Sequence, residues 1–256
     1  DPAERPGSGD ALREALERLA APPPLVPAGN PYRGLLRFEA EHRGLFFGRG
    51  AEVRAVLDRL REGGFVLVAG DSGVGKSSLC RAGVLPQLPG AIGRLVPGRH
   101  PAAALRAALQ LLLGEGDGDG DSEGGGDLLA DPVSLGRRLR HRHPEGVVLF
   151  IDQMEELLTL GEPAEAQAAG EALDLLVSTT PGLRILGTVR GDFITRLASL
   201  PGLGRDVSRA LFLLGPLQDE ALTEAISQPA RAFGYSFESP ALVATLAAST
   251  GADEGG

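Results

Sequence analysis

A single short motif constrains this chain more than any other part of its sequence. Residues 66–79 read VLVAGDSGVGKSSL, an apolar run that leads into glycines and then into one lysine and two serines. Lys76 is the only lysine among the 25 Lys and Arg residues of the chain. The spacing Gly70-x-x-x-x-Gly75-Lys76-Ser77, between an expected strand and an expected helix, is that of a phosphate-binding P-loop. The motif therefore predicts a nucleotide site where a strand turns into a helix.

The chemistry of phosphate binding explains why this position carries a lysine. Backbone N–H groups of such a loop and of the helix that follows form a nest for anions. An ammonium is a compact charge that reaches between the outer phosphates, whereas the planar guanidinium of arginine is too wide for so tight a loop. We expect Ser77 to be a ligand of Mg²⁺, with Ser78 a weaker candidate. The predicted nucleotide-binding residues of the loop are Gly70, Asp71, Ser72, Gly73, Val74, Gly75, Lys76, Ser77 and Ser78.

An acid at the end of a second strand is the next requirement of such a site. The stretch VVLFIDQMEEL places Asp152 directly after five apolar residues, as expected for a carboxylate that positions the metal. Glu155 and Glu156 follow it, and Glu155 is the first candidate for the base that polarises an attacking water. The alternative is that both glutamates only occupy a helix N-terminus, where acidic side chains are favoured.

A third element is the segment RILGTVRGDF, in which Arg190 ends a strand expected to lie beside the P-loop strand. From that position an arginine is able to point at the γ-phosphate and sense its hydrolysis. The alternative is an arginine that is merely solvated.

Apolar runs alternate with helical patterns through the middle of the chain. This alternation predicts an α/β fold, a P-loop NTPase parallel sheet with helices on both faces. The expected strands are residues 65–69, 92–96, 147–151, 184–189 and 210–214. The expected helices are residues 51–62, 76–84, 102–113, 133–141, 164–177 and 193–200. Whether another strand lies between the P-loop strand and the Asp152 strand is left open by the sequence.

The sequence predicts three parts. Residues 1–29 resemble an upstream helix and a proline-rich linker, residues 30–216 form the P-loop core, and residues 217–256 begin a small helical lid subdomain that is cut short. Within the core, residues 114–127 carry six acidic and no basic residues, which indicates a disordered acidic insertion rather than a calcium site. We expect the chain to be a piece of a longer protein.

Composition narrows the class of partner. The net charge of −9 makes nucleic acid unlikely as a main partner, and the basic stretch RRLRHRH at residues 137–143 also fits an exposed helix face.

Apolar runs are too short to span a membrane, so we expect a cytoplasmic protein. The single cysteine, Cys80, is expected to be a small packed residue rather than a nucleophile. With only one lysine, the chain cannot contain the Asn/Thr-Lys-x-Asp motif of guanine recognition.

Five segments together resemble the novel STAND NTPase family, signal-transducing ATPases related to AAA+, NACHT and NB-ARC proteins. They read NPYRGLLRFEAEHRGLFFGRGAEV, VAGDSGVGKSSLCRAGVLPQL, VVLFIDQMEELLTL, TVRGDF and LLGPLQDEALTEAISQPARAFGYSFE. The resemblance implies binding of ATP or ADP by the loop around Lys76, with Ser77 and Asp152 holding Mg²⁺. It also implies that Glu155 lies near the attacking water and that Arg190 is a sensor.

The segment FFGRGAE is similar to the part of the family that covers the adenine. Arg49 and Glu52 match its Gly-Arg-Glu-x-Glu pattern, whereas Gly50 replaces the first glutamate. The resemblance therefore implies a nucleotide contact for Arg49 and the loss of any contact from the replaced acid.

The resemblance further implies a switch with slow ATP hydrolysis. In such proteins ADP holds a closed monomer, a C-terminal repeat domain senses a trigger, and ATP promotes the homo-oligomer that activates an N-terminal effector. Two alternatives stay open at this point. One is an origin-recognition-like AAA+ ATPase that acts on DNA, and the other is a scaffold that binds nucleotide without hydrolysing it.

Overall fold

The computed structural model describes residues 30–114 and 128–252, which divide into two compact units. One unit is residues 49–218, and the other combines residues 30–48 with residues 219–252. The predictions for residues 1–29 and, apart from Gly114, for the acidic insertion lie outside the described residues.

The larger unit is built on a five-stranded sheet in which every strand pair is parallel. Its strands, in chain order, are β1 Phe65–Gly70, β2 Ala91–Leu95, β3 Val147–Ile151, β4 Leu183–Arg190 and β5 Leu211–Leu213. The order across the sheet is β2-β3-β4-β1-β5. All five predicted strands are confirmed to within one residue at each end. Strand β4 separates the P-loop strand from the Asp152 strand, which answers the question that the sequence left open.

Both faces of the sheet are buried. The odd-numbered residues Phe65, Leu67 and Ala69 of β1 join one core with apolar residues of three long helices, which are Pro101–Leu113, Pro132–Arg142 and Pro163–Thr179. The even-numbered Val66 and Val68 are also buried. Because side chains alternate between the faces of a strand, this pattern requires cover on both sides. Helix Gly50–Glu62 contacts both β1 and the helix that follows the P-loop.

The helices begin where their sequences predict. Pro101, Pro132, Pro163 and Pro240 each stand at the first position of a helix, where the missing N–H of proline has no intrahelical partner in any case. Short helices complete the larger unit at Glu156–Thr159, Ile194–Ala198 and Val207–Ala210. The helix expected over residues 193–200 is shorter than predicted: a 3₁₀ turn, Gly191–Phe193, precedes it, and the helix ends at Ala198.

The helix after the P-loop differs from a regular α-helix. Only Lys76–Ser78 is α-helical, Leu79–Val84 is a π-helix, and Leu85–Gln87 is a 3₁₀ turn. Residue 86 is a proline, which has no N–H to continue the ladder, and this is consistent with the change of winding. Cys80 lies in the π-helical turn and is fully buried, as predicted, and burial raises the pKa of its thiol.

The smaller unit consists of a 3₁₀ helix, Ala40–Leu45, and two helices, Asp219–Ala232 and Pro240–Ala252. The Tyr32 hydroxyl donates a hydrogen bond to the Ile226 carbonyl at 2.6 Å. Gly48 has a φ of +82° and lies so close to the Ala221 carbonyl that a Cβ would not fit. The structure therefore groups residues 30–48 with the C-terminal helices, whereas the sequence placed them in the P-loop core. These contacts join positions far apart in the chain, so local patterns did not reveal them.

Candidate functional site

Apart from Arg49, the predicted site residues come from the carboxyl ends of three adjacent strands or directly follow them, which is where open parallel sheets bind ligands. The P-loop follows β1, Asp152 follows β3, and Arg190 ends β4, opposite Gly70 of β1. The sheet order β3-β4-β1 thus brings together groups that lie up to 120 residues apart in the sequence.

The P-loop has the backbone of an anion nest. Gly73 and Gly75 have φ values of +85° and +96°, and Gly75 is the N-cap of the helix that starts at Lys76. No atom lies within 4 Å of a Cβ built on either residue. Left-handed backbone, rather than lack of space, is therefore what requires glycine at these two positions, and the room above the loop suits a phosphate.

The Lys76 side chain lies across the loop that carries it. Its ammonium donates hydrogen bonds to the carbonyl oxygens of Gly70 at 2.8 Å and Asp71 at 2.6 Å. Burial lowers the pKa of Lys76, and Arg190 acts in the same direction, whereas the charges of Glu155 and Asp71 raise it. The ammonium is thus held at the mouth of the loop between charges of both signs.

Asp152 is completely buried, and both of its carboxylate oxygens are occupied. Oδ1 accepts hydrogen bonds from the hydroxyls of Ser77 at 2.7 Å and Thr188 at 2.6 Å. Oδ2 accepts hydrogen bonds from Arg81, through Nε at 3.2 Å and through the terminal nitrogen Nη2 at 3.0 Å. A buried carboxylate is stable only when such partners replace its hydration. The structure brings together Ser77 and Asp152, the two predicted metal residues.

Thr188 and Arg81 are parts of the site that the sequence reasoning missed. Thr188 is 1% exposed, and besides its bond to Asp152 its hydroxyl accepts a hydrogen bond from the Gln153 N–H at 2.9 Å. Gln153 has a φ of +59°, unusual for a residue other than glycine, so Thr188 supports a strained turn beside Asp152. A lone arginine within the apolar run LCRAGVL, and a threonine within a buried strand, were the available signals.

Glu155 and Glu156 have different surroundings. Glu155 is 9% exposed, and its carboxylate accepts a hydrogen bond from the backbone N–H of Arg190 at 3.2 Å. Glu156 turns the other way, and its carboxylate accepts a hydrogen bond from the Gly98 N–H at 3.0 Å. Only Glu155 therefore lies beside the strand end that carries Arg190.

The Arg190 side chain is half exposed and is paired with Asp192. Nε and Nη2 of Arg190 donate to the two Asp192 oxygens at 3.1 and 2.8 Å. Its guanidinium also lies 5.5 Å from the ring centroid of Phe193. The predicted position of Arg190 beside the P-loop is correct, but its charge is directed at Asp192.

Arg49 is 7% exposed and links the first helix of the larger unit to the P-loop. It donates hydrogen bonds to the Glu52 carboxylate at 2.7 Å and to the Val74 carbonyl at 3.2 Å. Arg49 is therefore at the nucleotide loop, with Glu52 as its counter-charge. In the rest of the loop, Ser72 is exposed and Ser78 is partly buried in the helix that follows.

The Ser77 hydroxyl and the Asp152 carboxylate are suitable ligands for a magnesium ion that binds together with a nucleotide. Across residues 30–114 and 128–252, no group of three or more His, Cys, Asp and Glu side chains is arranged to hold a metal alone. A hydroxyl and one carboxylate are what Mg²⁺ uses when phosphates supply further ligands.

None of the helices in the described part of the chain is long and apolar enough to cross a membrane.

A parallel sheet in which β4 lies between the P-loop strand β1 and the strand β3 that precedes Asp152 is the fold of a P-loop NTPase. The chain belongs to the novel STAND NTPase 1 family, whose model matches residues 31–256. No curated protein sequence matches the chain.

A solved structure shows the same fold. The Walker-type ATPase paby2304 of Pyrococcus abyssi superposes with a TM-score of 0.58 at 15% identity, over 82% of this chain and 65% of that one. The chain thus spans just under two thirds of the length of that protein. The ORC2 protein of Aeropyrum pernix, solved as ADPNP–ADP complexes, matches 71% of this chain and 50% of its own, at 14% identity and a TM-score of 0.39.

Proposed function

We propose that this chain binds ATP and ADP with Mg²⁺ and is the nucleotide-controlled core of a signalling switch. The observation that carries the proposal is the convergence of Lys76, Ser77 and Asp152 at one end of the sheet, in a chain of the STAND family. Lys76 and the loop amides bind the phosphates, Ser77 and Asp152 hold Mg²⁺, and Arg49 contacts the nucleotide beside the loop. When bound, the metal would neutralise phosphate charge, while side chains of the protein position the nucleotide and the attacking water.

Hydrolysis in this proposal is slow. Glu155 is the base because it is the glutamate directed towards the strand end of Arg190, whereas Glu156 is engaged by Gly98. Arg190 senses the γ-phosphate after its side chain leaves Asp192, and this exposed ion pair is weak enough to exchange. A sensor that must first turn away from another partner is consistent with a switch rather than a fast motor.

The wider role follows from the family. We propose that nucleotide exchange controls homo-oligomerisation in the cytoplasm, and through it an N-terminal effector, in response to a C-terminal repeat sensor. These parts are expected in the longer protein.

Calorimetry of the 256-residue chain with ATP, ADP and GTP, each with and without Mg²⁺, tests the binding step. We expect selective binding of adenine nucleotides that Lys76→Ala abolishes, because that change removes the only ammonium at the loop. Arg61→Ala is the matched control, since Arg61 is an exposed cation paired with Asp58 on helix Gly50–Glu62. Absence of binding to every nucleotide would instead favour a scaffold with an unused P-loop.

The assignment of the base is tested by comparing Glu155→Gln with Glu156→Gln. We expect Glu155→Gln to lower ATP turnover at least about a hundredfold with ATP affinity unchanged. Glu156→Gln keeps an oxygen that accepts from Gly98 and should retain most of the activity. Phosphate release under single-turnover conditions measures both, and the reverse ranking would exchange the two roles.

A further inference from the structure

Two side chains of one helix, Ser77 and Arg81, donate hydrogen bonds to the carboxylate of Asp152. Only Ser77 belongs to the expected metal site. Ser77 and Arg81 stand four residues apart on the helix after the P-loop, a spacing that puts side chains on one face. Ser77 reaches Oδ1 and Arg81 reaches Oδ2 of the same carboxylate. Arg81 thus donates to Oδ2, whereas Ser77 and Thr188 both donate to Oδ1.

Arg81 is itself held in place by the strand that carries Asp152. Its guanidinium lies 5.5 Å from the ring centroid of Phe150, a residue of β3 that stands two positions before Asp152. A stacked guanidinium that also gives two N–H groups to one acceptor has a defined orientation. Arg81 therefore contacts both β3, at Phe150, and the residue that directly follows β3, Asp152.

The surroundings of Arg81 make its charge unusual. Its neighbours in the π-helix, Leu79, Cys80, Ala82 and Val84, are all buried. The Arg81 side chain is 17% exposed, and the carboxylate that it faces is 0% exposed. A helix that needed only to pack would carry an apolar residue here, because burying a charge is costly unless the charge is paired.

We propose that Arg81 is a positioning residue for Asp152: by binding Oδ2, it keeps Oδ1 directed at Ser77 and at the metal site. This inference rests on the proposed function, since it requires that Asp152 and Ser77 hold Mg²⁺. Side chains that orient metal-binding groups typically change metal affinity ten- to a hundredfold when they are replaced. Arg81 should therefore act on the metal and not on the adenine nucleotide itself.

Binding of Mn²⁺, a probe for Mg²⁺ that electron paramagnetic resonance detects, tests this role on the 256-residue chain saturated with ADP. Arg81→Met removes the charge and both donors but retains a long unbranched side chain. Arg81→Lys retains the charge but cannot place two fixed N–H groups on Oδ2. Arg61→Met is the matched control at an exposed arginine.

We expect Arg81→Met to weaken Mn²⁺ binding about tenfold or more, while ADP affinity in EDTA changes less than twofold. Arg81→Lys should lose at least about threefold but less than Arg81→Met, and Arg61→Met should match the wild type. Wild-type or tighter Mn²⁺ binding by Arg81→Met would overturn the inference, even if thermal unfolding showed that the variant is less stable. A lysine variant with no loss, or with no rescue relative to methionine, would overturn it as well.

Arg81→Lys decides the question alone if Arg81→Met does not fold, because its charge still neutralises the buried carboxylate. The two proposals fail in different ways. If the wild type binds no ADP, the proposed function fails and this inference fails with it. If the wild type binds ADP and Mn²⁺ but the Arg81 variants bind Mn²⁺ equally well, only the role of Arg81 is wrong.

Discussion

Asp152 and Arg190 stand at the carboxyl ends of neighbouring strands, yet their surroundings are opposite. Asp152 is inaccessible to solvent, and three side chains hold its two oxygens. Arg190 is half exposed, and its guanidinium is ion-paired with Asp192, only two residues further along the chain. The same edge of the sheet thus carries one charge with a fixed position and one with an exchangeable partner.

This difference follows from solvation. A buried carboxylate must keep its partners in every state of the protein, because water cannot replace them. An exposed arginine exchanges its partner at little cost, because water and salt screen its ion pair. If the proposed function is correct, the side of the site that would hold the metal is already ordered without nucleotide, whereas the proposed sensor Arg190 rearranges when nucleotide binds.

The largest effect on stability is expected for Asp152→Ala. This change leaves the mostly buried guanidinium of Arg81 without its carboxylate, and breaking a buried pair from one side costs about 3–5 kcal/mol. Asp192→Ala is the matched control, since it removes the acid of the exposed pair and should cost less than about 1 kcal/mol. Urea unfolding followed by circular dichroism measures both, and equal losses would contradict the contrast between the two strand ends.

A smaller loss is expected for Thr188→Val, which retains the shape of the side chain. The change removes one hydrogen bond to Asp152 and leaves the Gln153 N–H without its acceptor, at a cost of about 1–3 kcal/mol. The control is Thr180→Val, because the buried Thr180 hydroxyl has no hydrogen-bond partner among residues 30–114 and 128–252. We expect that valine to be neutral or stabilising in the same unfolding experiment, and a loss as large as that of Thr188→Val would argue against the role of Thr188.

The smallest effect on stability is expected for Arg190→Gln. Its exposed pair with Asp192 contributes at most about 1 kcal/mol, and the backbone N–H that binds Glu155 is unchanged. ATP turnover should nevertheless fall about tenfold or more, because the sensing charge is lost. A variant that is much less stable but turns over ATP normally would contradict the proposal that Arg190 is an exchangeable sensor rather than a fixed structural charge. Unfolding and phosphate release measured on the same preparation separate these outcomes.

Local sequence patterns predicted most of the fold and the residues proposed to bind phosphate and metal. Strand β3 is a run of five apolar residues that is directly followed by an acid. A short apolar run of this kind, flanked by helical patterns with a period of 3.6 residues, is typical of a buried strand. Lys76, Ser77 and Asp152 could be predicted as site residues because their chemistry is tied to short spacings or to the end of a strand. Arg81 was not found, since its partner lies 71 residues away and one arginine in an apolar helix resembles a surface position.

By itself, the sequence determined the P-loop, the strands and helices that flank it, and the types of side chain available for phosphate and metal. These depend on interactions between residues close in the chain, so composition and period are enough to specify them. Tertiary structure alone decided that β4 lies between β1 and β3, that Glu155 rather than Glu156 is directed towards Arg190, and that Arg81 shares Asp152 with Ser77. The physical reason is that burial creates these partnerships: the cost of a desolvated charge depends on what the whole fold places beside it.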